Sequence, residues 1–282
     1  MASLRFTKMQ GAGNDFIVMN NMELALDPAQ FPAIAKRVCT PGLSLGANAL
    51  MVADFPTQGG DLRMRFYNAD GSEGEMCGNG ARCLARYAVE KGLSGDAMTI
   101  ETMAGMVYGW KQTRREYKIR LNSPEVIDLC RPVEVDGITY DCAYVELGNP
   151  GIPHAVVPIP GLAEKTQDEM RPLGAKLRHH PAFPKGANVN FYDLRPDGTV
   201  EELTFERGVE DFTLACGTGT GSTVSVLTLK GLVNTTPVRV KVPGGELKIE
   251  TQLDNGRIVD LFLIGDTNIV AEGVITDEDL TF

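Results

Sequence analysis

The apolar positions of this chain fall into short alternating runs separated by glycine-bearing turns, with a few stretches of helical spacing between them. Leu62, Met64 and Phe66 alternate with Arg63, Arg65 and Tyr67, the period of a half-buried strand, and Leu203 and Phe205 repeat the pattern. Phe16-Ile17-Val18-Met19 and Ala49-Leu50-Met51-Val52 are short apolar runs that follow turns, as are Ala155-Val156-Val157 and Val189-Asn190-Phe191; each reads as a strand. Phe31, Ile34, Ala35 and Val38 share one side of a helix predicted over residues 28–38, with Pro32 near its first turn. Two further helices are predicted after Cys77 and Cys216. In the first, Ala81, Leu84, Ala85 and Ala88 form one apolar stripe. In the second, Val224, Val226, Leu227 and Leu229 are apolar on several sides, which predicts deep burial. Residues 120–143, with Pro124, Pro132 and Gly137, read as a crossing between two halves.

The two halves are copies. Cys77-Gly78-Asn79-Gly80 returns as Cys216-Gly217-Thr218-Gly219, 139 residues later, and the same offset carries Phe66 to Phe205, Asn68 to Arg207 and Lys91-Gly92-Leu93 to Lys230-Gly231-Leu232. Thr99-Ile100-Glu101-Thr102 ahead of Ala104-Gly105 likewise corresponds to Val238-Arg239-Val240-Lys241 ahead of Pro243-Gly244. Each copy therefore alternates strands around one central and one peripheral helix.

The duplicated cysteine sits where a helix begins. Unsatisfied backbone N–H groups and the positive end of the helix dipole favour an anion there, and they draw a thiol toward thiolate. The flanking glycines let backbone approach a ligand closely. Two such cysteines, related by a duplication, can address one molecule from opposite sides, and that arrangement suits racemisation. One thiolate removes a proton from a stereocentre while the other thiol returns one to the opposite face. Gly78-Asn79 and Gly217-Thr218 would present N–H groups to the α-carboxylate of an amino acid; the same donors also serve as ordinary cap sites. Cys39, Cys83, Cys130 and Cys142 lack duplicated glycine-rich surroundings and read as structural thiols.

Composition narrows the field. The chain has 282 residues, 43% hydrophobic and 23% charged, with a net charge of −10. No clustered basic surface for nucleic acid or an anionic membrane is expected, and no run is long and apolar enough for a membrane helix, so a small-molecule amino-acid substrate is the expected partner. A homodimer is compatible with the sequence. Leu4-Arg5-Phe6-Thr7-Lys8 lacks the features of a signal peptide, and a cytoplasmic protein is expected. The spacing of cysteines with His154, His179 and His180 matches no zinc site, so neither metal nor other cofactor is expected. Gly217-Thr218-Gly219-Thr220-Gly221-Ser222 lacks the Gly-Lys-Ser/Thr ending of a phosphate loop, which argues against a nucleotide enzyme.

Lys8-Met9-Gln10-Gly11-Ala12-Gly13-Asn14-Asp15-Phe16, Tyr67-Asn68-Ala69-Asp70-Gly71-Ser72, Cys77 to Cys83, Glu206-Arg207-Gly208 and Ala215 to Gly219 together resemble the diaminopimelate epimerase family of pyridoxal-independent amino-acid racemases, nearly end to end. The resemblance implies cofactor-free two-base epimerisation of LL- to meso-diaminopimelate in lysine and peptidoglycan precursor biosynthesis, with Cys77 and Cys216 as the catalytic thiols. It implies substrate contacts from Asn14, Asn68, Asn149, Asn188 and Glu206, with Gly78, Asn79, Gly217 and Thr218 as the backbone donors. Arg207 would hold the distal carboxylate through its bidentate fork. The expected fold is α/β (α+β): two pseudo-symmetric domains, each a curved, largely antiparallel sheet around a central helix, with the active site in the cleft between them. The domains would span residues 1–120, with 265–282 returning to them, and 121–264. Two segments depart from the family pattern, Ser44-Leu45-Gly46-Ala47-Asn48-Ala49 and the expanded Asn149-Pro150-Gly151-Ile152-Pro153-His154. A racemase of another amino acid using the same cysteine pair is the alternative, and an inactive amino-acid-binding protein would have no need of both cysteines.

Overall fold

A computed structural model describes residues 4–280. They form two compact units, one running up to Ile119 and resuming at Gly265, the other Arg120–Ile264. In the first, β1 (Leu4–Gly11) and β2 (Asn14–Asn20) make a hairpin, followed by the short α1 (Asn21–Leu24) and by α2 (Phe31–Val38). β3 (Ala49–Asp54) then lies parallel to β2, with Phe16 opposite Ala49. β4 (Leu62–Asn68) runs antiparallel to β3, and the two-residue β5 (Glu73–Gly74) turns back on it toward α3 (Gly78–Glu90). β6 (Ala97–Thr102) is parallel to β4, and β7 (Gly105–Lys111) and β8 (Glu116–Leu121) continue antiparallel.

The second unit repeats this topology. β9 (Pro124–Val135) and β10 (Ile138–Leu147) pair antiparallel, then β11 (Ile152–Pro158), α4 (Gln167–Arg178) and β12 (Asn188–Leu194) follow, with β11 and β12 parallel and Ala155 opposite Val189. β13 (Val200–Glu206), β14 (Asp211–Phe212) and α5 (Gly217–Leu229) match the cysteine-bearing segment of the first unit, and β15 (Val238–Val242) and β16 (Gly245–Asp254) match β6 and β7. β17 (Arg257–Asp266) leads the chain back to the first unit, where β18 (Asn268–Ile275) pairs antiparallel with β1, Leu4 opposite Ile275. Within each unit the strand pairing is thus mostly antiparallel, with two parallel pairs.

Residues 120–143, expected to be a crossing between the halves, are more than that. They contain the β9–β10 hairpin, and β9 stands to β10 as β18 stands to β1. The first unit takes that edge strand from the far end of the chain, so a fixed offset along the sequence could not reveal the pair.

Each unit has a peripheral and a central helix. The one-sided spacing of α2 seats Phe31, Ile34, Ala35 and Val38 against Ile17, Leu50, Val52 and Tyr67. Burying the Phe31 ring contributes about 2 kcal/mol, the usual scale for a large apolar side chain. α4 begins with a capping box between Thr166 and Glu169 and packs Met170 and Leu177 on Phe191 and Phe205. The central helices differ from these. α3 is buried at every position from Gly78 to Ala88, including Arg82 and Arg86, so its expected single apolar stripe understates how enclosed it is. α5 is buried from Gly219 through Leu227.

Glu101 ties a loop to β6. Its carboxylate accepts from the backbone N–H of Thr57 at 2.7 Å and of Gly60 at 3.1 Å, from the backbone N–H of Gln58, and from the Thr57 hydroxyl. Burial works against the ionised form, but these donors outweigh it and hold the pKa at about 2. The folded-state value lies below the usual carboxylate range of about 4.3, so the contribution is full above that range and is lost as pH falls toward about 2. Denaturant unfolding of Glu101→Gln should lack the part of the wild-type acid destabilisation that develops across this interval. Parallel stability curves for the two proteins would contradict it.

Candidate active site

In the first unit Cys77 occupies the cap position of α3, in extended conformation with φ −128° and ψ 122°. Its thiol is partly exposed and donates to Asn14 Oδ1 at 3.3 Å. Asn14 is itself fixed, since its Nδ2 donates to Asn48 Oδ1 at 2.8 Å. Asn48 also accepts from the Asp15 backbone N–H, and its own N–H donates to Asp15 Oδ1. Lys8 adds an ion pair to Asp15 at 3.1 Å. The turn between β1 and β2, the loop before β3 and the start of α3 are thereby joined around one sulfur. Asn68 ends β4 exposed and donates to Ser72 Oγ at 3.0 Å.

The close approach of backbone to sheet explains the third motif residue, glycine in both copies. A Cβ on Gly80 would lie 2.9 Å from Met51 Sδ, and one on Gly219 would collide with Asn190 Oδ1. Gly78-Asn79 and Gly217-Thr218 supply the first N–H groups of their helices, whose intrahelical ladders begin only at Ala81 and Thr220, each bonded back to its cysteine carbonyl.

Cys216 caps α5 in a similar conformation, φ −120° and ψ 103°, but is buried. Its sulfur faces Thr218 Oγ1 at 3.6 Å. Burial, and then the nearby Glu206 carboxylate, push its pKa well above the ordinary thiol value. Burial raises Glu206 in turn. Asn188 Oδ1 accepts from the Arg207 backbone N–H at 2.8 Å while its Nδ2 donates to the Pro153 carbonyl, so this asparagine bridges β11 and the end of β13. The Arg207 guanidinium donates to the Lys185 carbonyl at 3.1 Å.

Asn149 does not stand in the second copy where Asn14 stands in the first. It is exposed in the turn before β11, whereas the register position of Asn14, two residues before the Phe16–Ala49 pair, is held in the second copy by Pro153, two before Ala155–Val189. Next to it, His154 is fully buried, with Asn190 Nδ2 donating to its Nδ1 at 3.2 Å. Burial lowers its pKa to about 3, so the ring is neutral and carries its proton on Nε2, which has no partner among the described residues.

Sequence reasoning missed several buried polar groups here. Glu202 lies beneath α5, accepting from Thr220 Oγ1 at 2.5 Å and Thr223 Oγ1 at 2.6 Å, and burial raises its pKa to about 7. Thr220 Oγ1 also contacts the Cys216 carbonyl at 3.0 Å. The signal available was the Thr220/Thr223 spacing, which puts two hydroxyls on one helix face. Arg82, in the middle of the first motif, is fully enclosed. Among the described residues no group of three or more His, Cys, Asp or Glu is arranged to hold a metal ion, and no helix is long and apolar enough to cross a membrane.

Two copies of one mixed sheet, each opening its central helix on a Cys-Gly-x-Gly turn, define the duplicated fold found in racemases and epimerases. The chain matches a phenazine biosynthesis protein of the PhzF family from Bacillus anthracis with a TM-score of 0.76 at 15% identity, over 98% of this chain and 99% of that one. It matches a hydroxyproline epimerase from Agrobacterium vitis at 0.69 and 18%, over 99% and 94%. At the level of sequence, the family model for diaminopimelate epimerase matches residues 6–126 and 147–270. Diaminopimelate epimerases from Aquifex aeolicus and Caldanaerobacter subterraneus are 36% and 35% identical to the chain, covering 99% and 96% of it and 100% and 99% of their own lengths. The chain belongs to the diaminopimelate epimerase family.

The Glu206 carboxylate beside Cys216 makes a direct test possible. Glu206→Gln removes a negative neighbour, so the pH midpoint for alkylation of Cys216 should move down. An unchanged midpoint in a folded variant would separate the two groups electrostatically.

Proposed function

We propose that this protein is a cytoplasmic isomerase that interconverts LL- and meso-diaminopimelate by two-base chemistry, with Cys77 and Cys216 acting on opposite faces of one α-carbon. The observation that carries the reading is the repeated placement of a cysteine at the start of a buried 13-residue helix, in a chain that its diaminopimelate epimerase relatives match over almost their whole length.

In the forward step one cysteine, as thiolate, takes the α-hydrogen. The C–H bond breaks, an S–H bond forms, and the electron pair passes into the α-carboxylate. Backbone N–H groups of Gly78-Asn79 and Gly217-Thr218 stabilise the charge that develops there, aided by the helix dipoles. The other cysteine, as thiol, delivers its proton to the opposite face and is left as thiolate, so the two sulfurs exchange states with each turnover. No redox change occurs. Arg207 stands where the first copy has Asn68, which gives a symmetric frame one cationic fork for the distal carboxylate. Asn14, Asn68, Asn149, Asn188 and Glu206 complete the proposed polar surroundings of the substrate.

Serine in place of either cysteine keeps the shape and loses the acidity, so Cys77→Ser and Cys216→Ser should each reduce epimerisation by about 100- to 10,000-fold, the usual scale for a lost acid–base group. Each variant should retain solvent exchange, or elimination from an analogue bearing a β-leaving group, with only the isomer whose α-hydrogen faces the surviving thiol, and the two preferences should be opposite. Cys83→Ser should stay close to wild type. The two-base reading is wrong if both active-site variants favour the same isomer or either keeps full activity.

A further inference from the structure

The two motif helices bury different chemistry five residues after their cysteines. Arg82 in α3 is fully enclosed, and its equivalent 139 residues later is Gly221, where an added Cβ would meet Leu261 Cδ2 at 3.0 Å and Leu121 Cδ1 at 3.1 Å. The second copy fills this place with hydrocarbon. The first fills it with a cation.

That cation is incompletely matched. Arg82 Nη2 donates to Asn79 Oδ1 at 2.6 Å and Nη1 to the Asp266 carbonyl at 3.4 Å, while Nε is buried and has no hydrogen-bond partner among the described residues. Its neighbour Arg86, one turn on, also has a buried Nε without a hydrogen-bond partner among the described residues, but it donates to the Thr267 carbonyl at 2.8 Å and has the Glu90 carboxylate as an ion-pair partner at 3.5 Å. Removing a charge from water is costly unless an opposite charge is close, and a guanidinium does not give up its proton to escape that cost. Burial weakens the hold of Arg82 on its proton, and the opposing pull comes first from Cys83 and Cys77, then from Asp266 and Glu116. Cys83 is sealed in the same interior, where burial pushes its pKa up to about 12, so it stays a thiol. Cys77 is the partly exposed sulfur at the helix start. Lys8 and Asp15, behind Asn14, are paired with each other and add little net charge on that side.

We propose that Arg82 is a positioning residue for Cys77: its buried guanidinium biases Cys77 toward thiolate and, through Asn79, steadies the first turn of α3. Cys216, enclosed with the carboxyls of Glu206 and Glu202, has the opposite bias and rests as thiol. The free protein is thus poised with one base and one acid, and the order is set before substrate arrives. The proposal rests on the two-base reading for its meaning in catalysis, while its electrostatic content is testable without turnover.

The test is site-resolved alkylation of the full-length protein with iodoacetamide, followed by mass spectrometry across pH, reading the midpoint for each cysteine rather than its rate because access alters only the rate. In wild type the Cys77 midpoint should lie below that of Cys216 by at least about one pH unit. Arg82→Gln should raise the Cys77 midpoint by about one unit and leave that of Cys216 in place, and Arg82→Lys should restore most of the difference. A purely structural arginine would lower thermal stability in both variants without separating their midpoints. Equal or reversed midpoints in wild type overturn the proposal even if Arg82→Gln fails to fold, and so does a folded Arg82→Gln with an unchanged Cys77 midpoint. If the midpoints order as expected but diaminopimelate is not turned over, the functional reading fails and the role of Arg82 stands.

Discussion

The structure depends on a helix that starts inside a protein. An α-helix leaves its first N–H groups without intrahelical partners, and a buried start is costly unless something accepts from them. Here each of the two central helices begins at a cysteine within its own unit, with neither cysteine side chain capping it. The start of each helix therefore suits an anion, whether a carboxylate of the ligand or the sulfur itself. The glycines at positions 80 and 219 let that first turn lie close to the sheet, because a Cβ there would press on Met51 Sδ or Asn190 Oδ1.

Around that shared constraint the two copies differ in what they place near the cysteine. In the first unit Cys77 bonds to Asn14 and an enclosed arginine reaches Asn79 two residues on, while in the second the Cys216 sulfur faces the Thr218 hydroxyl, with Glu206 nearby and Glu202 held by Thr220 and Thr223. Asn14 is matched in register by Pro153, and Asn68 in sequence by Arg207. The two ends of LL-diaminopimelate are alike, so in the proposed reaction the difference has to come from the protein, which receives one end at the reacting centre and the other away from it. On the proposed two-base reading, the duplication supplies two thiols in unlike surroundings.

Much of this was legible in the sequence, for physical reasons that also mark where legibility ended. Period-two alternation exposed the β4 and β13 strands, and the all-round apolar character after Cys216 foretold the enclosure of α5. The repeat offset located both cysteines in equivalent places. It failed for β9, because the matching strand β18 arrives from the end of the chain and pairing in space does not respect order in sequence. At Asn14 the same offset leads to Pro153, not to an asparagine, so the repeat alone gave Asn149 no place beside Cys216. Buried charge was the least visible feature. Charged residues are normally read as exposed, and only three-dimensional packing reveals that Arg82, Arg86 and Glu202 are not.

The central claim is that two different groups handle the proton that leaves and the proton that arrives. Starting with LL-diaminopimelate in deuterated water, the isotope at the reacting carbon should be followed in both substrate and product during the first turnovers. Two thiols acting from opposite faces predict meso product that carries deuterium from the outset, because the donating thiol has exchanged with solvent, while the unreacted LL pool keeps its original hydrogen. Product that retains the substrate's own α-hydrogen would mean that a single group removed and returned the same proton, and would contradict the account.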